Sequence, residues 1–162
     1  MSLDHFTICI TTPLKFLVAI GDETGLTSFE FSDDEVKQQN EKHPLAIKCQ
    51  KQISAYLNKE LKVFDLPIAL NGTDFQKSVW TELLKIPFGK TISYQKIAND
   101  LNNPKSIRAV GTANGKNKHA IIIPCHRVIG SDGSLTGYAG GLWRKKWLLD
   151  FERGSKQMEL FG

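Results

Sequence analysis

At residue 73 the hydrophobic period of this 162-residue chain changes, and that change limits its fold more than any other feature. Before it, β-branched and aromatic residues come in short runs at residues 5–10 (His-Phe-Thr-Ile-Cys-Ile), 16–20 (Phe-Leu-Val-Ala-Ile) and 26–31 (Leu-Thr-Ser-Phe-Glu-Phe). The turn cluster Gly21-Asp22-Glu23-Thr24-Gly25 separates the last two, so the runs predict strands. Pro44 opens a helix, because Leu45, Cys49, Gln52, Ile53, Tyr56 and Leu57 form a mostly 3–4 spaced stripe. That stripe makes Cys49 a core residue. Residues 66–70 read as one more short strand, closed by Asn71-Gly72. Residues 1–72 therefore predict a small α/β support domain with no evident chemistry.

From residue 73 the period is helical. Thr73-Asp74-Phe75-Gln76 fits a capping box, and Phe75, Val79, Trp80, Leu83 and Leu84 follow as an apolar face until Pro87-Phe88-Gly89 stops the helix. Ser93 caps a second helix with Tyr94, Ile97, Ala98 and Leu101 at i, i+3, i+4 and i+7. Asn102-Asn103-Pro104 breaks it, and a third helix carries Lys105, Arg108, Val110 and Gly111 to an end near Asn114-Gly115. Two short helices joined by a tight turn fit a helix-turn-helix, a pattern that helical proteins with no DNA also use. Residues 142–153 predict a final helix. The fold class is α+β: a small α/β unit, then a mainly helical domain over residues 73–162.

Charge divides the chain at the same place. Residues 1–72 hold 7 Lys/Arg and 10 Asp/Glu, a net −3, whereas residues 73–162 hold 14 and 7, a net +7. A basic half suggests a polyanionic partner. No run of about eighteen apolar residues exists, which excludes a membrane-spanning helix, and no secretory signal is visible, so a cytoplasmic chain (nuclear in a eukaryote) is expected. Cys9, Cys49 and Cys125 are odd in number and far apart, which is unlike a disulfide framework. No C-x-x-C pair exists, and although His5, Cys9, His43 and Cys49 could meet in space, no metal is expected.

The chemically suggestive stretch is residues 121–129, Ile-Ile-Ile-Pro-Cys-His-Arg-Val-Ile. The β-branched run predicts a buried strand that ends at Pro124, leaving Cys125 on a rigid turn at the core's edge. Basic neighbours favour the thiolate. Neighbours on an extended chain point to opposite sides, so His126 would act through a water. A small core hydrophobe remains the alternative for a lone cysteine. Glu152 falls between Leu148 and Leu149 on the last helix, so its carboxylate lies near the buried side and suits a histidine partner, unless it frays outward. Lys145 and Lys146 read as solvated. Residues 136–141 (Thr-Gly-Tyr-Ala-Gly-Gly) form a loop whose glycines allow close approach and whose Tyr138 supplies a flat wall.

Pro124-Cys125-His126-Arg127-Val128, Tyr138-x-Gly140-Gly141 and Trp147-Leu148-Leu149-x-x-Glu152 together strongly resemble the O6-alkylguanine-DNA alkyltransferases, the methylated-DNA–protein-cysteine methyltransferases. The agreement continues upstream through Ser93-Tyr94, Asn103-Pro104-Lys105, Arg108-Ala109-Val110-Gly111 and Asn117, covering about residues 73–153; the N-terminal part fits only in its ribonuclease H-like layout. The resemblance implies single-turnover DNA repair, in which Cys125 accepts the alkyl group of an O6-alkylguanine rotated out of the duplex. It implies His126 as the base, Glu152 as its holder, Asn117 as a brace and Tyr94 as helper of nucleotide rotation and proton donor. Arg108 would fill the gap in the stack, with Lys105, Ala109 and Gly111 at the DNA. Tyr138, Val128, Ala139 and Gly140 would line the pocket. Double-stranded DNA would be bound through its minor groove by a monomer, with no cofactor, and the N-terminal zinc ligands of some members have no clear counterpart. Two other readings are a lesion-binding protein without transfer, disfavoured by Cys125 itself, and a cysteine hydrolase of small molecules, disfavoured by the basic half.

Overall fold

The computed structural model describes residues 4–154, and these fall into two compact units that divide between Asn71 and Gly72. The first is an antiparallel meander of β1 (Phe6–Thr12), β2 (Lys15–Asp22) and β3 (Gly25–Ser32), with helix α1 (Pro44–Leu57) packed on β1 and β2. Alternation decides which side is inward: Phe6, Ile8 and Ile10 of β1, Leu17 and Ala19 of β2, and Leu26 and Phe29 of β3 are buried. Register pairs Ile8 with Ala19 and Ile10 with Leu17 on this buried face. Helix α1 covers that face with Leu45, Ala46, Cys49, Ile53 and Tyr56. Cys49 is fully buried in that core, and the burial pushes its thiol up to about 12.

The expected strand at residues 66–70 does not form. Only an isolated bridge joins Leu26 to Ile68, with Leu26 N donating to Pro67 O and Ala69 N to Leu26 O, both at 2.9 Å. Gln52, expected in the apolar stripe, instead serves the segment just before it: its side chain accepts from Asp65 N at 2.8 Å and donates to Asp65 O at 3.1 Å. One amide side chain thus satisfies backbone that a ladder would otherwise have to satisfy.

The second unit holds α2 (Asp74–Leu83), β4 (Ile92–Ser93), α3 (Tyr94–Asp100), α4 (Ile107–Gly115), β5 (Val128–Ile129) and α5 (Leu142–Arg153). The capping box on α2 is complete, with Thr73 Oγ1 accepting from Gln76 N at 3.1 Å and Gln76 Oε1 accepting from Thr73 N at 2.9 Å. Ser93 caps α3 through Lys96 N at 3.0 Å. Val79, Trp80 and Leu83 of α2 are buried, but Leu84, expected on the same face, is the C-cap and is 51% exposed. The Trp80 indole donates to Ala113 O at 2.9 Å and ties α2 to α4, a buried bond worth about 1 kcal/mol. A single 3-10 turn, Pro104–Ser106, precedes α4, so Lys105 sits in that turn and not in the helix.

The apolar run at residues 121–123 is buried, as its composition predicts, but it is a tight turn and not a strand. Asn117 is the reason: Oδ1 accepts from His119 N at 2.9 Å and Nδ2 donates to Ile123 O at 2.8 Å, closing the loop on itself. Ile121 is held at φ 68° within it, a conformation that a β-branched residue adopts only under such constraint. The chain leaves the turn through Pro124 into a 3-10 turn, Cys125–Arg127, and only then extends as β5. β5 pairs in parallel with β4, Ile92 to Val128 and Ser93 to Ile129. In this parallel register Tyr94, the first residue of α3, follows at the level of Gly130, just beyond the cysteine turn and β5.

Candidate active site

Cys125, His126 and Arg127 occupy consecutive positions of one 3-10 turn and all three are buried, Cys125 with 6% exposure. Opposite them α5 presents Glu152, four residues beyond the core Leu148 and on the same helical face. His126 Nε2 lies 2.8 Å from Glu152 Oε2. Arg127 grips the same carboxylate with Nε on Oε1 at 2.8 Å and Nη2 on Oε2 at 2.9 Å, while its Nη1 donates to Ile86 O at 2.7 Å. Gly89 N adds a longer bond, 3.3 Å, to Oε1. A single carboxylate thus gathers the cysteine turn, α5 and the loop after α2.

The protonation states follow from these contacts. Burial alone would raise the Glu152 carboxyl, but the bonds and charges of His126 and Arg127 outweigh it and hold the group well below the usual carboxylate range. Burial pushes His126 down, against the opposing pull of Glu152, so the imidazole is neutral at pH 7 and Arg127 is the cation that keeps Glu152 ionised. An ionised carboxylate only accepts, so Nε2 carries the ring proton and Nδ1 is left as an acceptor. Nδ1 is buried and makes no hydrogen bond among the described residues. Burial also raises the Cys125 thiol, while a hydrogen bond from Asn117 and the charge of Lys145 pull it back. The resting group is a thiol beside a neutral, correctly tautomerised base. Such an arrangement suits a nucleophile deprotonated only at the moment of attack.

Around this centre Asn117 closes the turn that leads into Pro124 and Cys125. Tyr94 accepts from Thr136 Oγ1 at 2.8 Å at the rim of an open cleft of about 500 Å³. Tyr94, Arg108, Gly111, Thr136, Tyr138 and Ala139 are among its lining residues. Arg108 and Ala109 are exposed on α4, and Lys105 is exposed just before it. Val128 and Gly140 do not line this cleft: Val128 is fully buried where β5 begins, and Gly140 lends its carbonyl to Arg144 Nη1 at 3.1 Å.

Three participants escaped the reading of the sequence. Lys145, expected in solvent, is fully buried and donates to Thr136 O at 3.0 Å; Lys146 beside it is exposed and pairs with Asp150 at 2.6 Å. The signal was present, since residues 145, 148, 149 and 152 share one helical face. Arg127 was noted in its motif but given no partner. Asn114, 3% exposed, donates to Cys125 O at 3.4 Å, and nothing in the helical pattern of α4 marks it as more than a C-terminal turn residue.

Comparison with known proteins supplies the context. Residues 74–154 match the family model described as the DNA-binding domain of 6-O-methylguanine DNA methyltransferase. The chain is 45% identical over 151 residues to a methylated-DNA–protein-cysteine methyltransferase of Methanosarcina mazei, covering 90% of this chain and 96% of that one. It is 42% identical over 160 residues to the inducible enzyme of that name from Bacillus subtilis, covering 93% and 87%. Among solved structures, Mycobacterium tuberculosis OGT in complex with DNA matches with a TM-score of 0.80 at 42% identity, covering 95% and 98% of the two chains.

Proposed function

The chain belongs to the methylated-DNA–protein-cysteine methyltransferase family, and we propose from that premise that Cys125 is the residue that takes up the alkyl group. The protein repairs DNA by moving an alkyl group from O6-alkylguanine onto its own cysteine. The observation that carries the assignment is the buried Cys125–His126–Glu152 arrangement on one turn and one helix face. His126 Nδ1 takes the thiol proton through a water, and the thiolate attacks the alkyl carbon on O6. The carbon–oxygen bond breaks, its electrons stay with guanine, and Tyr94 supplies the proton that the leaving base needs. A thioether remains on Cys125 and the guanine is restored, so each molecule acts once. The residues named in these steps call for no cofactor or metal.

The target carbon is inaccessible inside a stacked duplex, so the base has to leave the stack at a cost of a few kcal/mol. Arg108 fills the space it vacates. We read α3, the 3-10 turn and α4 as a helix-turn-helix whose second helix enters the minor groove. Gly111 supports this: a helix-interior glycine costs roughly 1 kcal/mol relative to alanine, yet a Cβ at Gly111 would meet nothing within 4 Å. The chain's own packing does not require that glycine, whereas close approach of a DNA backbone would. Lys105, Arg108 and Ala109 share this exposed surface. Tyr138 and Ala139 line the pocket for the flipped base, and the backbone N–H of Ala139 replaces the hydroxyl that some relatives carry there. Residues 1–72 have the layout of a ribonuclease H-like support domain, residues 73–162 do the chemistry, and the protein works as a cytoplasmic monomer. Cys125→Ala tests the assignment: it should bind a duplex containing O6-methylguanine and transfer nothing. Residual methyl on another cysteine would refute it.

A further inference from the structure

Arg144 is a buried cation that neither the Glu152 cluster nor the transfer steps use. It sits on the first turn of α5 and is only 4% exposed. Its Nη1 donates to the carbonyl of Gly140 at 3.1 Å, and its guanidinium carbon stands 4.6 Å from the centre of the Trp143 ring. Trp143 is itself 49% exposed, so its ring shields the cation and does not fill a core. The same ring lies against the backbone of the loop: a Cβ on Gly141, whose φ is 92°, would come within 3.2 Å of Trp143 Cδ1. Gly141 N donates to Tyr138 O at 2.8 Å and closes a turn over residues 138–141. Two consecutive side chains of α5 therefore grip the far end of the loop whose Thr136, Gly137, Tyr138 and Ala139 line the cleft. Three of the six residues 136–141 are glycine, and backbone of such freedom keeps one position only where it is tied. An apolar side chain would cover this spot without the cost of burying a charge. Arginine adds a rigid fork of donors and a flat face that stacks on tryptophan, which fixes the direction of the bond to Gly140.

We propose that Arg144, oriented by Trp143, is a positioning residue that straps the turn of residues 138–141 in place and thereby sets which sizes of alkyl group the cleft favours. The inference rests on the reading of this cleft as the pocket for the flipped base. A methyl group offers little surface of its own, so its guanine depends on a firm wall to hold the reacting carbon in line with the thiol. A displacement of about 1 Å is enough to slow such a reaction by about 100-fold. A bulky alkyl group brings contacts of its own and gains room when the wall yields. Loosening the strap therefore penalises the small substrate more than the large one.

The experiment is single-turnover transfer from two duplexes, one carrying O6-methylguanine and one O6-benzylguanine, to the wild type, Arg144→Met, Arg144→Lys and Trp143→Ala. Amide hydrogen exchange of the peptide spanning residues 134–142 is followed in the same four proteins. Arg144→Met should slow methyl transfer by about tenfold and benzyl transfer by much less, so the ratio of the two rates falls. Exchange in the loop should quicken by about tenfold, as loss of a charge-assisted hydrogen bond predicts. Lysine keeps a cationic donor for the Gly140 carbonyl, so Arg144→Lys should recover most of the wild-type ratio. Trp143→Ala removes a half-exposed ring; it should shift the ratio the same way by a smaller factor, and it carries the test should the methionine variant fail to fold. A folded variant with the wild-type ratio would overturn the proposal. Equal slowing with both duplexes would overturn it too, because Arg144 would then support the fold and not the choice of substrate. Should the wild type take up neither group while loop exchange quickens in the variants, the repair reading falls and the strap stands.

Discussion

At the scale of single residues the site is organised by Glu152, whose two oxygens serve a neutral histidine and a permanent cation together. Buried and exposed ion pairs differ in what their loss costs. Removing one partner of a buried pair strands the other charge and costs about 3–5 kcal/mol, whereas an exposed pair is worth about 0–1. Arg127→Met should therefore lower the urea-unfolding free energy by about 3–5 kcal/mol. Lys85→Met, which breaks the i,i+3 pair with Glu82, should cost less than about 1 kcal/mol. Equal small losses would mean that Glu152 is satisfied without Arg127. The residues of the triad were legible in the sequence because each stands beside an apolar anchor: Cys125 and His126 after a β-branched run, Glu152 between leucines. Lys145 and Arg127 were not. A long cationic side chain reads as solvated by default, and only helical register, for Lys145, argued otherwise.

At the scale of elements, local signals and tertiary demands agree in some places and conflict in others. The capping box at Thr73 and the cap at Ser93 fixed the starts of α2 and α3 from sequence, because a side-chain acceptor at a helix start has few other uses. The triple isoleucine at residues 121–123 misled. Its burial was readable, but its conformation was decided by Asn117, four residues upstream, whose amide satisfies backbone that a strand would have paired. Residues 66–70 make only an isolated bridge to Leu26, and Gln52 satisfies the backbone of Asp65 just before them. Helix α4 carries the opposite conflict, a glycine where a helix prefers alanine. Gly111→Ala should raise stability by about 0.5–1 kcal/mol and at the same time weaken duplex binding, as measured by denaturation and by fluorescence anisotropy. Unchanged affinity would remove Gly111 from the DNA surface.

At the scale of the whole molecule, the buried site sets how stability depends on pH. His126 is depressed below its ordinary 6.5 by burial, so the unfolded chain takes up a proton there that the folded one does not. Stability is lost as pH falls through that value. Glu152, held below its ordinary 4.5, adds a second loss as pH falls further. On the alkaline side Cys49, held up to about 12, makes stability fall as pH rises above 9.0, while Lys145, lowered to about 8, opposes this up to 10.5. The melting temperature should thus decline from pH 6.5 and more steeply below 4.5; a flat profile across that range would contradict the buried neutral histidine. The division of charge also belongs to this scale. The net +7 of residues 73–162 lies on the half that carries Cys125 and the α4 surface, as binding to a polyanion requires. Alkyl uptake by Cys125 is measured by intact mass of the wild-type protein after incubation with a duplex carrying one O6-methylguanine, followed by peptide mapping. Transfer to Cys125 predicts a gain of one methylene per chain, confined to Cys125 and unchanged by further substrate. An unchanged mass, or a methyl group on Cys9 or Cys49, would contradict it.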